Sequence, residues 1–201
     1  MPKILITGGC GFTGHHLVNH LLLHTDWDIV IIDKLTYASS GYDRLRDINC
    51  FDDKRIKIFA VDFNNEFKDG LLSEIGDIDY IVHMGAESHV DRSIQDAVPF
   101  VLSNVLGTLY ILELARKVMP KKMLYFSTDE VFGPAPEGVK HKEWDNYNSS
   151  NPYAATKAGG EELCLAYANT HKVPVFITHT MNIFGERQHP EKFLPLVIRK
   201  I

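Results

Sequence analysis

Short apolar runs alternate along the chain with longer amphipathic stretches. Several runs are apolar at consecutive positions, as expected for strands that are covered on both faces of a sheet. Their residue ranges are 4–6, 29–32, 56–61, 80–82, 123–126 and 175–178. Between them, residues 14–23 and 101–118 carry apolar side chains at helical spacing. The alternation predicts an α/β fold, a doubly wound parallel sheet with helices on both faces.

Composition and charge narrow the class of protein. Apolar residues make up 45% of the 201 positions and charged residues 23%, which is typical of a globular chain and excludes a disordered one. The net charge of -5 gives no reason to expect a nucleic-acid partner, because such binding depends on neutralising phosphates. No apolar run approaches the ~20 residues of a membrane span. Three separated cysteines indicate neither a disulfide framework nor a metal site. We therefore expect a cytoplasmic protein without a membrane partner.

A glycine-rich turn, TGGCGFTG, follows the first predicted strand and opens the first helix. Its spacing Gly8-x-x-Gly11-x-x-Gly14 allows a pyrophosphate to approach backbone N–H groups at a helix N-terminus. Asp33 ends the second predicted strand about 20 residues further on, where an acidic residue accepts hydrogen bonds from the adenosine ribose. The pattern predicts a Rossmann-like fold that binds NAD rather than NADP. The alternative is a structural turn with a surface carboxylate.

A second group of candidate residues lies on the helix that begins near Asn151. Tyr153 and Lys157 are four residues apart, so their side chains share one face of the helix. A nearby ammonium lowers the pKa of a tyrosine, which would make Tyr153 a general base. The Tyr-x-x-x-Lys pattern also occurs by chance on exposed helices. It gains weight here because it follows the fifth strand of a predicted dinucleotide-binding sheet.

Ser-Thr-Asp-Glu stands at the end of that fifth strand. Ligands of doubly wound sheets lie at the carboxyl ends of the strands. The adjacent carboxylates of Asp129 and Glu130 can divide acid and base roles when their environments separate their pKa values. The alternative for the pair is a solvated turn in which Asp129 is a cap.

The second half of the chain contains one long irregular stretch, residues 133–151, which is rich in Pro, Gly, Asn and Ser. A loop of this length is more often functional than accidental. The final apolar segment follows Pro190 and has no C-cap signal, so we expect the fold to continue past it. We predict an NAD-binding Rossmann domain over residues 1–180. Residues 181–201 would begin a truncated substrate-binding region, with the C-terminal substrate domain largely missing.

Several segments together resemble the extended short-chain dehydrogenase/reductases, and more narrowly the nucleotide-sugar 4,6-dehydratases of the dTDP-glucose type. They are the glycine turn, DKLTYA at 33–38, AESHVDRS at 86–93, STDEVFG at 127–133, the Tyr153/Lys157 pair and RQHPEKF at 187–193. The resemblance covers nearly the whole chain. The Thr-Asp-Glu trio and the segment at 86–93 narrow it beyond the superfamily.

The resemblance implies a lyase with resident NAD that converts a nucleoside diphosphate glucose, most of all dTDP-glucose, into its 4-keto-6-deoxy product and water. It implies that Tyr153 takes the C4 hydroxyl proton as NAD takes the C4 hydride, which later returns to C6. Glu130 would remove the C5 proton, and Asp129 would protonate the departing C6 hydroxyl. Thr128 would bind near O4, and Lys157 would hold the nicotinamide ribose. A homodimer paired through apolar helices is also implied.

The resemblance further assigns positions around the two ligands. The cofactor positions are Gly8, Gly11, Phe12, Thr13, Gly14, Asp33, Lys34, Leu35, Thr36, Asp62, Phe63, Met84, Gly85, Ala86, Ser88, Ser103, Tyr153 and Lys157. The substrate positions are Ser88, Thr128, Asp129, Glu130, Asn182, Lys192 and Phe193. Taken singly, Asp62 could equally be a loop cap, Ser103 a hydroxyl on a helix face and Phe193 a core residue. His83 and His89 are expected to be packed or hydrogen-bonded histidines.

Two other interpretations stay open. The first is a different NAD-dependent nucleotide-sugar enzyme, an epimerase or decarboxylase, against which the Asp129–Glu130 pair argues. The second is a non-catalytic NAD-binding fragment. Departures from the family pattern include Ile183 in place of a second Asn and Glu186 in place of a Pro.

Overall fold

The computed structural model describes residues 1–201, which form one six-stranded sheet in the order β3-β2-β1-β4-β5-β6. The strands are β1 Lys3–Thr7, β2 Asp28–Asp33, β3 Ile56–Ala60, β4 Tyr80–His83, β5 Lys122–Thr128 and β6 Val175–Thr180. The helices are α1 Phe12–His24, α2 Asp43–Asp47, α3 Asp69–Ile75, α4 Val90–Gln95, α5 Val98–Phe100, α6 Gly107–Val118, α7 Pro152–His171 and α8 Phe193–Ile198. Every strand pair is parallel, which confirms the predicted fold class.

Apolar side chains cover both faces of the sheet, which explains the consecutive apolar runs. Successive residues of a strand point to opposite faces. On one face, Leu5 and Val30 pack in a core that includes Ile111 and Leu112 of α6. On the other face, the intervening strand residues pack in a second core with α1 and α2. The sheet is therefore the buried middle layer of three.

The strand order reverses between β1 and β4. Strands added from β1 to β3 run towards one edge, and strands from β4 to β6 run towards the other. In such sheets the two loops that leave the reversal point diverge, and a crevice opens at the carboxyl ends of the strands. The glycine turn after β1 and residues 84–88 after β4 therefore meet at this crevice.

Helix α5, a π-helical turn at Val101–Leu106 and α6 join into a single helix, Val98–Val118. Its mean hydropathy reaches 1.6 over an 18-residue window, so by length and composition it could cross a membrane. The expectation that no segment approaches a membrane span is wrong by this measure. Half of the window is buried within the domain, as is usual for the core helix of a globular protein.

The last part of the chain packs differently. Residues 133–151 contain no regular helix or strand, as predicted. Helix α8 buries none of its residues, and Phe193 is 77% exposed, so Phe193 is not a core residue. The division between two regions at residues 180 and 181 stays a prediction.

Candidate active site

A cleft of about 300 Å³ lies at the carboxyl ends of the strands, on the reversal of strand order. It is the place at which the fold is expected to hold a ligand. Most of the residues predicted for the two ligands line it. They are Gly8, Gly11, Phe12, Thr13, Asp33, Lys34, Thr36, Phe63, Met84, Gly85, Ala86, Ser88, Ser103, Thr128, Glu130, Tyr153, Lys157, Asn182 and Lys192.

The glycine turn is held so tightly that Gly8 and Gly14 leave no room for a side chain. Gly8 has a φ of 72°, and a Cβ there would lie 2.8 Å from the Cα of Gly85. A Cβ on Gly14 would lie 2.1 Å from the carbonyl oxygen of Gly8. Helix α1 begins after Gly11 with no side-chain cap. The first N–H groups of a helix lack intrahelical partners, so this end of the cleft suits an anion.

Asp33 connects the glycine turn to the end of β2. Its carboxylate is buried and accepts hydrogen bonds from the backbone N–H groups of Cys10, at 3.0 Å, and Leu35, at 2.8 Å. Burial raises the pKa of Asp33, while these bonds and Arg44 act in the opposite direction. The carboxylate also lines the cleft. It can therefore position the turn and accept further hydrogen bonds from a ribose.

One buried hydroxyl in the cleft has no partner. Ser103 lies in the π-helical turn, and its Oγ is buried without a hydrogen bond. Leaving a buried polar group unpaired costs about 1–3 kcal/mol, so a polar ligand atom at this point would stabilise the structure. The open helix end, the close backbone approach at Gly8 and Gly14 and the unpaired Ser103 all fit a dinucleotide.

Lys157 is buried beneath the cleft. Its Nζ donates a hydrogen bond to the carbonyl of Phe126 at 2.8 Å and lies 4.1 Å from the centre of the Tyr125 ring. Burial lowers the pKa of Lys157 to about 8, although Cys164 and Glu161 act in the opposite direction.

The pKa of Tyr153 is raised to about 12, first by burial and then by the neighbouring Glu130 carboxylate. Hydrogen bonding with Thr128 lowers it, and Asp129 raises it further. The prediction that Lys157 lowers the pKa of Tyr153 is therefore wrong for this structure. The reason is that the ammonium binds the Phe126 carbonyl, while the two carboxylates and burial act on the phenol.

A 3-10 turn at Asp129–Phe132 follows β5 and carries both candidate carboxylates. Thr128 caps the turn by accepting a hydrogen bond from the Glu130 N–H at 3.2 Å. The Nδ2 of Asn151 donates to the Glu130 carboxylate at 3.0 Å. Glu130 therefore has a fixed position in the cleft lining, together with Thr128. Asp129 lies on the same turn, but its side chain is not part of that lining.

Five predicted site residues do not line the cleft: Gly14, Leu35, Asp62, Asp129 and Phe193. Leu35 packs against the core beneath the sheet and contributes only its N–H to Asp33. Asp62 accepts a hydrogen bond from the N–H of Asn64 at 2.9 Å, which is the loop cap considered as its alternative. Phe193 points into solvent at the start of α8 because no part of the chain packs over it.

A group of side chains ties the segment at residues 187–192 across the mouth of the cleft. Glu191 accepts a hydrogen bond from the Tyr37 hydroxyl at 3.1 Å and pairs with Arg92 at 3.2 Å. Lys192 donates to the Ser88 carbonyl at 2.8 Å, and burial lowers its pKa. The sequence predicted Lys192 at this place but not Glu191. The sequence signal for Glu191 was its position within the RQHPEKF segment at 187–193.

Sequence reasoning also missed a buried polar chain beneath the cleft. Thr7 Oγ1 accepts hydrogen bonds from two backbone N–H groups and therefore donates its proton to His83 Nδ1, at 2.7 Å. Burial lowers the pKa of His83 to about 3, so the ring is neutral and its Nε2 donates to Thr108 at 3.0 Å. Thr108 donates to the carbonyl of Asn104. The sequence feature that could have indicated this polar chain was the presence of polar residues within otherwise apolar strands and helices. His83 is hydrogen-bonded, as expected.

Comparisons with known proteins agree with this architecture. The low-salt glycan biosynthesis protein Agl12 of Haloferax volcanii is 43% identical over 198 residues, which cover 98% of this chain and 62% of that protein. The dTDP-glucose 4,6-dehydratase of Escherichia coli is 37% identical over 214 residues, which cover 98% of this chain and 58% of that protein. The chain thus spans about three fifths of these relatives.

Solved structures match over the same part. The crystal structure of DesIV, a dTDP-glucose 4,6-dehydratase from Streptomyces venezuelae with NAD bound, superposes with a TM-score of 0.89 and 37% identity. The match covers 98% of this chain and 61% of that one. UDP-glucuronic acid 4-epimerase from Bacillus cereus, also with NAD, gives a TM-score of 0.88 at 29% identity and covers 98% and 62% of the two chains.

The family model for NAD dependent epimerases and dehydratases matches residues 4–201. That range includes every strand and helix except the first residue of β1. It also includes the glycine turn, the 3-10 turn and the Tyr153/Lys157 pair. The resemblance inferred from the sequence is confirmed: the chain belongs to the NAD dependent epimerase/dehydratase family.

Proposed function

We propose that this chain binds NAD and carries the catalytic side chains of a nucleotide-sugar 4,6-dehydratase, with dTDP-glucose as the expected substrate. The observation that carries the proposal is the position of Glu130. Its carboxylate is fixed by Asn151 and lies in the cleft close enough to Tyr153 to raise the pKa of the phenol. A 4-epimerase needs no base for C5, whereas a 4,6-dehydratase does.

The residues that would hold NAD follow the length of the cleft. The backbone N–H groups of Phe12 and Thr13, at the start of α1, suit the pyrophosphate, and Asp33 suits the adenosine ribose. Ser103 and Lys157 suit the opposite end of the cofactor. Asp33 would repel a 2′-phosphate, which favours NAD over NADP. When bound, NAD supplies a positively charged ring that accepts a hydride from C4 and returns it to C6.

The chain's own residues would move the protons. Tyr153 takes the proton of the C4 hydroxyl, and the resulting ketone makes the C5 hydrogen acidic. Glu130 removes that C5 proton, and the C6 hydroxyl leaves with a proton as water. A proton then returns to C5 when C6 has received its hydride, which gives the 4-keto-6-deoxy product. The assignment of Asp129 as the donor of this proton is supported by the family resemblance and by its place on the same 3-10 turn as Glu130.

The experiment is to incubate the protein with NAD and dTDP-glucose and to follow the nucleotide sugar by mass spectrometry. Loss of one water, with no net change in NAD, is the expected result. An unchanged mass with inversion at C4 would instead support an epimerase, which the superposition on UDP-glucuronic acid 4-epimerase keeps as the second candidate. Cofactor binding without any turnover would support an NAD-binding fragment.

We also propose that the protein is a homodimer. Apolar side chains are exposed on two neighbouring helices, with Val98, Leu102 and Leu165 exposed by 63%, 43% and 45%. Exposed apolar patches of this kind are common at protein interfaces. Sedimentation should show a dimer, and Leu102→Glu should shift it towards monomer. Leu23→Glu, at an exposed position of α1, should not. The cytoplasmic location stays a prediction.

A further inference from the structure

Glu161 is a buried carboxylate that the proposed mechanism does not use. It lies on α7 one turn after Lys157 and is fully buried. Three side chains donate hydrogen bonds to it, each from a different part of the chain. They are the Ser127 hydroxyl at the end of β5, the Tyr147 hydroxyl in the stretch 133–151, and His179 Nε2 on β6 at 2.8 Å.

Each donor adjoins a segment that forms the cleft. Ser127 directly precedes Thr128, and His179 directly precedes Thr180, which also lines the cleft. Tyr147 fixes the irregular stretch that ends at Asn151, the residue that holds Glu130. A single carboxylate therefore connects the ends of two strands and the long loop to the helix that bears Tyr153.

Burying a carboxylate is unfavourable unless its oxygens are hydrogen-bonded, and an apolar side chain at the same place is often at least as stable. Packing of the core therefore does not by itself require a glutamate at position 161. We infer that Glu161 is a positioning residue for the proposed reaction, which aligns the end of β5 and the stretch 133–151 with α7 and sets the charge environment of Lys157. The inference rests on the proposed function.

The charge of Glu161 acts on a small set of titratable groups. Those that face Lys157 or Glu161 from the surrounding elements are His83 on β4, Tyr125 on β5, Tyr147 in the stretch 133–151, His179 on β6, and Cys164 on α7. His83 is neutral, and burial raises the pKa of Tyr125, Tyr147 and Cys164. Glu161 is thus the carboxylate that helps Lys157 to stay protonated against burial.

Removing that negative charge has a predictable sign. A neighbouring carboxylate favours the ammonium form, so its loss lowers the pKa of Lys157 below about 8. In Glu161→Gln the Lys157 ammonium should therefore lose its proton at lower pH than in the unmodified protein. A residue that only filled space would leave the Lys157 titration unchanged.

The test compares Glu161→Gln with Glu162→Gln, an exposed neighbour on the same helix. Lysine labelled with ¹³C allows the titration of Lys157 to be followed by NMR, with the signal identified by its loss in Lys157→Met. We expect the Lys157 titration to move to lower pH in Glu161→Gln and to stay unchanged in Glu162→Gln. NAD affinity should change little in either variant.

Activity provides the second readout. With dTDP-glucose, the first reduction of bound NAD should slow about tenfold to a hundredfold in Glu161→Gln, as expected for a small misalignment of catalytic groups. If the Lys157 titration and this rate are both unchanged, the inference is wrong. Absence of NAD reduction in the unmodified protein would contradict the proposed function instead, while the NMR titration would still report on Glu161.

A further variant covers the case in which Glu161→Gln fails to fold. Tyr147→Phe keeps the carboxylate and removes one of its donors, the one that anchors the stretch 133–151. It should lower kcat with little change in the Lys157 titration or in NAD affinity. An unchanged kcat in Tyr147→Phe would then overturn the positioning role.

Discussion

The two ends of the cleft are built in different ways. The end formed by the glycine turn and Asp33 consists largely of backbone held by the buried strands β1 and β2. The opposite end takes Asn182 and Lys192 from a segment that lies on the surface, where Asn182 is exposed and α8 buries no residue. The first end owes its shape to the core of the domain, and the second to side-chain contacts across the mouth of the cleft.

This difference means that cofactor binding and sugar-nucleotide binding should respond to different changes. Backbone N–H groups fixed by a core cannot easily be moved without disturbing the sheet. Contacts such as those between Lys192 and Ser88, or Glu191 and Tyr37, join surface segments and can be altered singly. Single substitutions at the two ends should therefore have separable effects on the two kinds of binding.

The largest effect should come from adding one methyl group to the glycine turn. In Gly14→Ala the new Cβ would lie 2.1 Å from the Gly8 carbonyl oxygen, so the turn must open. Overpacking of this kind costs typically 1–3 kcal/mol in stability, and NAD binding should be lost. Thermal unfolding and calorimetric titration with NAD measure the two effects. The control is Gly70→Ala in α3, where nothing lies within 4 Å of the added Cβ.

Tyr153→Phe should remove catalysis while leaving the cofactor end unchanged. Loss of general acid or base help typically costs about 10²–10⁴-fold in rate. Reduction of bound NAD on addition of dTDP-glucose should slow by that factor, with NAD affinity retained. Tyr110→Phe on α6 is the matched control. A rate near that of the unmodified protein would mean that Tyr153 is not the base.

Glu130→Gln should separate oxidation from elimination. Water loss should slow by about 10²–10⁴-fold, because the C5 base is lost, while the first hydride transfer changes less. The Glu130 carboxylate raises the pKa of Tyr153 above its ordinary value of 10.0, so its neutralisation lowers that pKa. The rising limb of the first hydride transfer should therefore move to lower pH, as measured by rapid mixing over a pH series.

Asp129→Asn should also slow elimination. It should move the rising limb of the first hydride transfer less than Glu130→Gln does, because Glu130 has the larger effect on the pKa of Tyr153. Normal water loss in both variants would favour an epimerase.

The smallest effect concerns selectivity between cofactors. In Asp33→Asn the side chain keeps one acceptor oxygen, but the charge that repels a 2′-phosphate is gone. The preference for NAD over NADP should fall about tenfold, or roughly 1.4 kcal/mol, in parallel titrations. Equal affinities for the two cofactors in the unmodified protein would show that Asp33 does not face the ribose.

The local patterns of the sequence predicted the sheet because each strand is buried on both faces. The runs at 4–6 and 29–32 lie inside β1 and β2, and Gly8 and Asp33 lie at their carboxyl ends, where parallel pairing brings them together. Most residues predicted for the ligands also line one cleft. Periodicity and glycine spacing sufficed here, since these contacts depend on backbone geometry.

Properties that depend on distant side chains were not predictable in this way. The pKa of Tyr153 is set by burial and by Glu130 rather than by the lysine one turn away. The hydrogen bonds of Glu161 come from Ser127, Tyr147 and His179, which are far apart in the sequence. Nor does any sequence pattern distinguish the inward position of Glu130 from that of its neighbour Asp129.

The π-helical turn at Val101–Leu106 has a consequence for how the chain tolerates change in length. A π-turn holds one residue more than an α-turn, and one residue corresponds to about 100° of rotation about the helix axis. Deleting a single residue there would leave a regular α-turn, so Val98 and Leu102 on one side and Ile111 and Leu112 on the other would keep their relative orientation. Deleting a residue between the turn and Ile111 would instead rotate the two halves by about 100°, so that Val98 and Leu102 could stay outside only if Ile111 and Leu112 left the core. The helix can therefore lose one residue within the π-helical turn but not within α6.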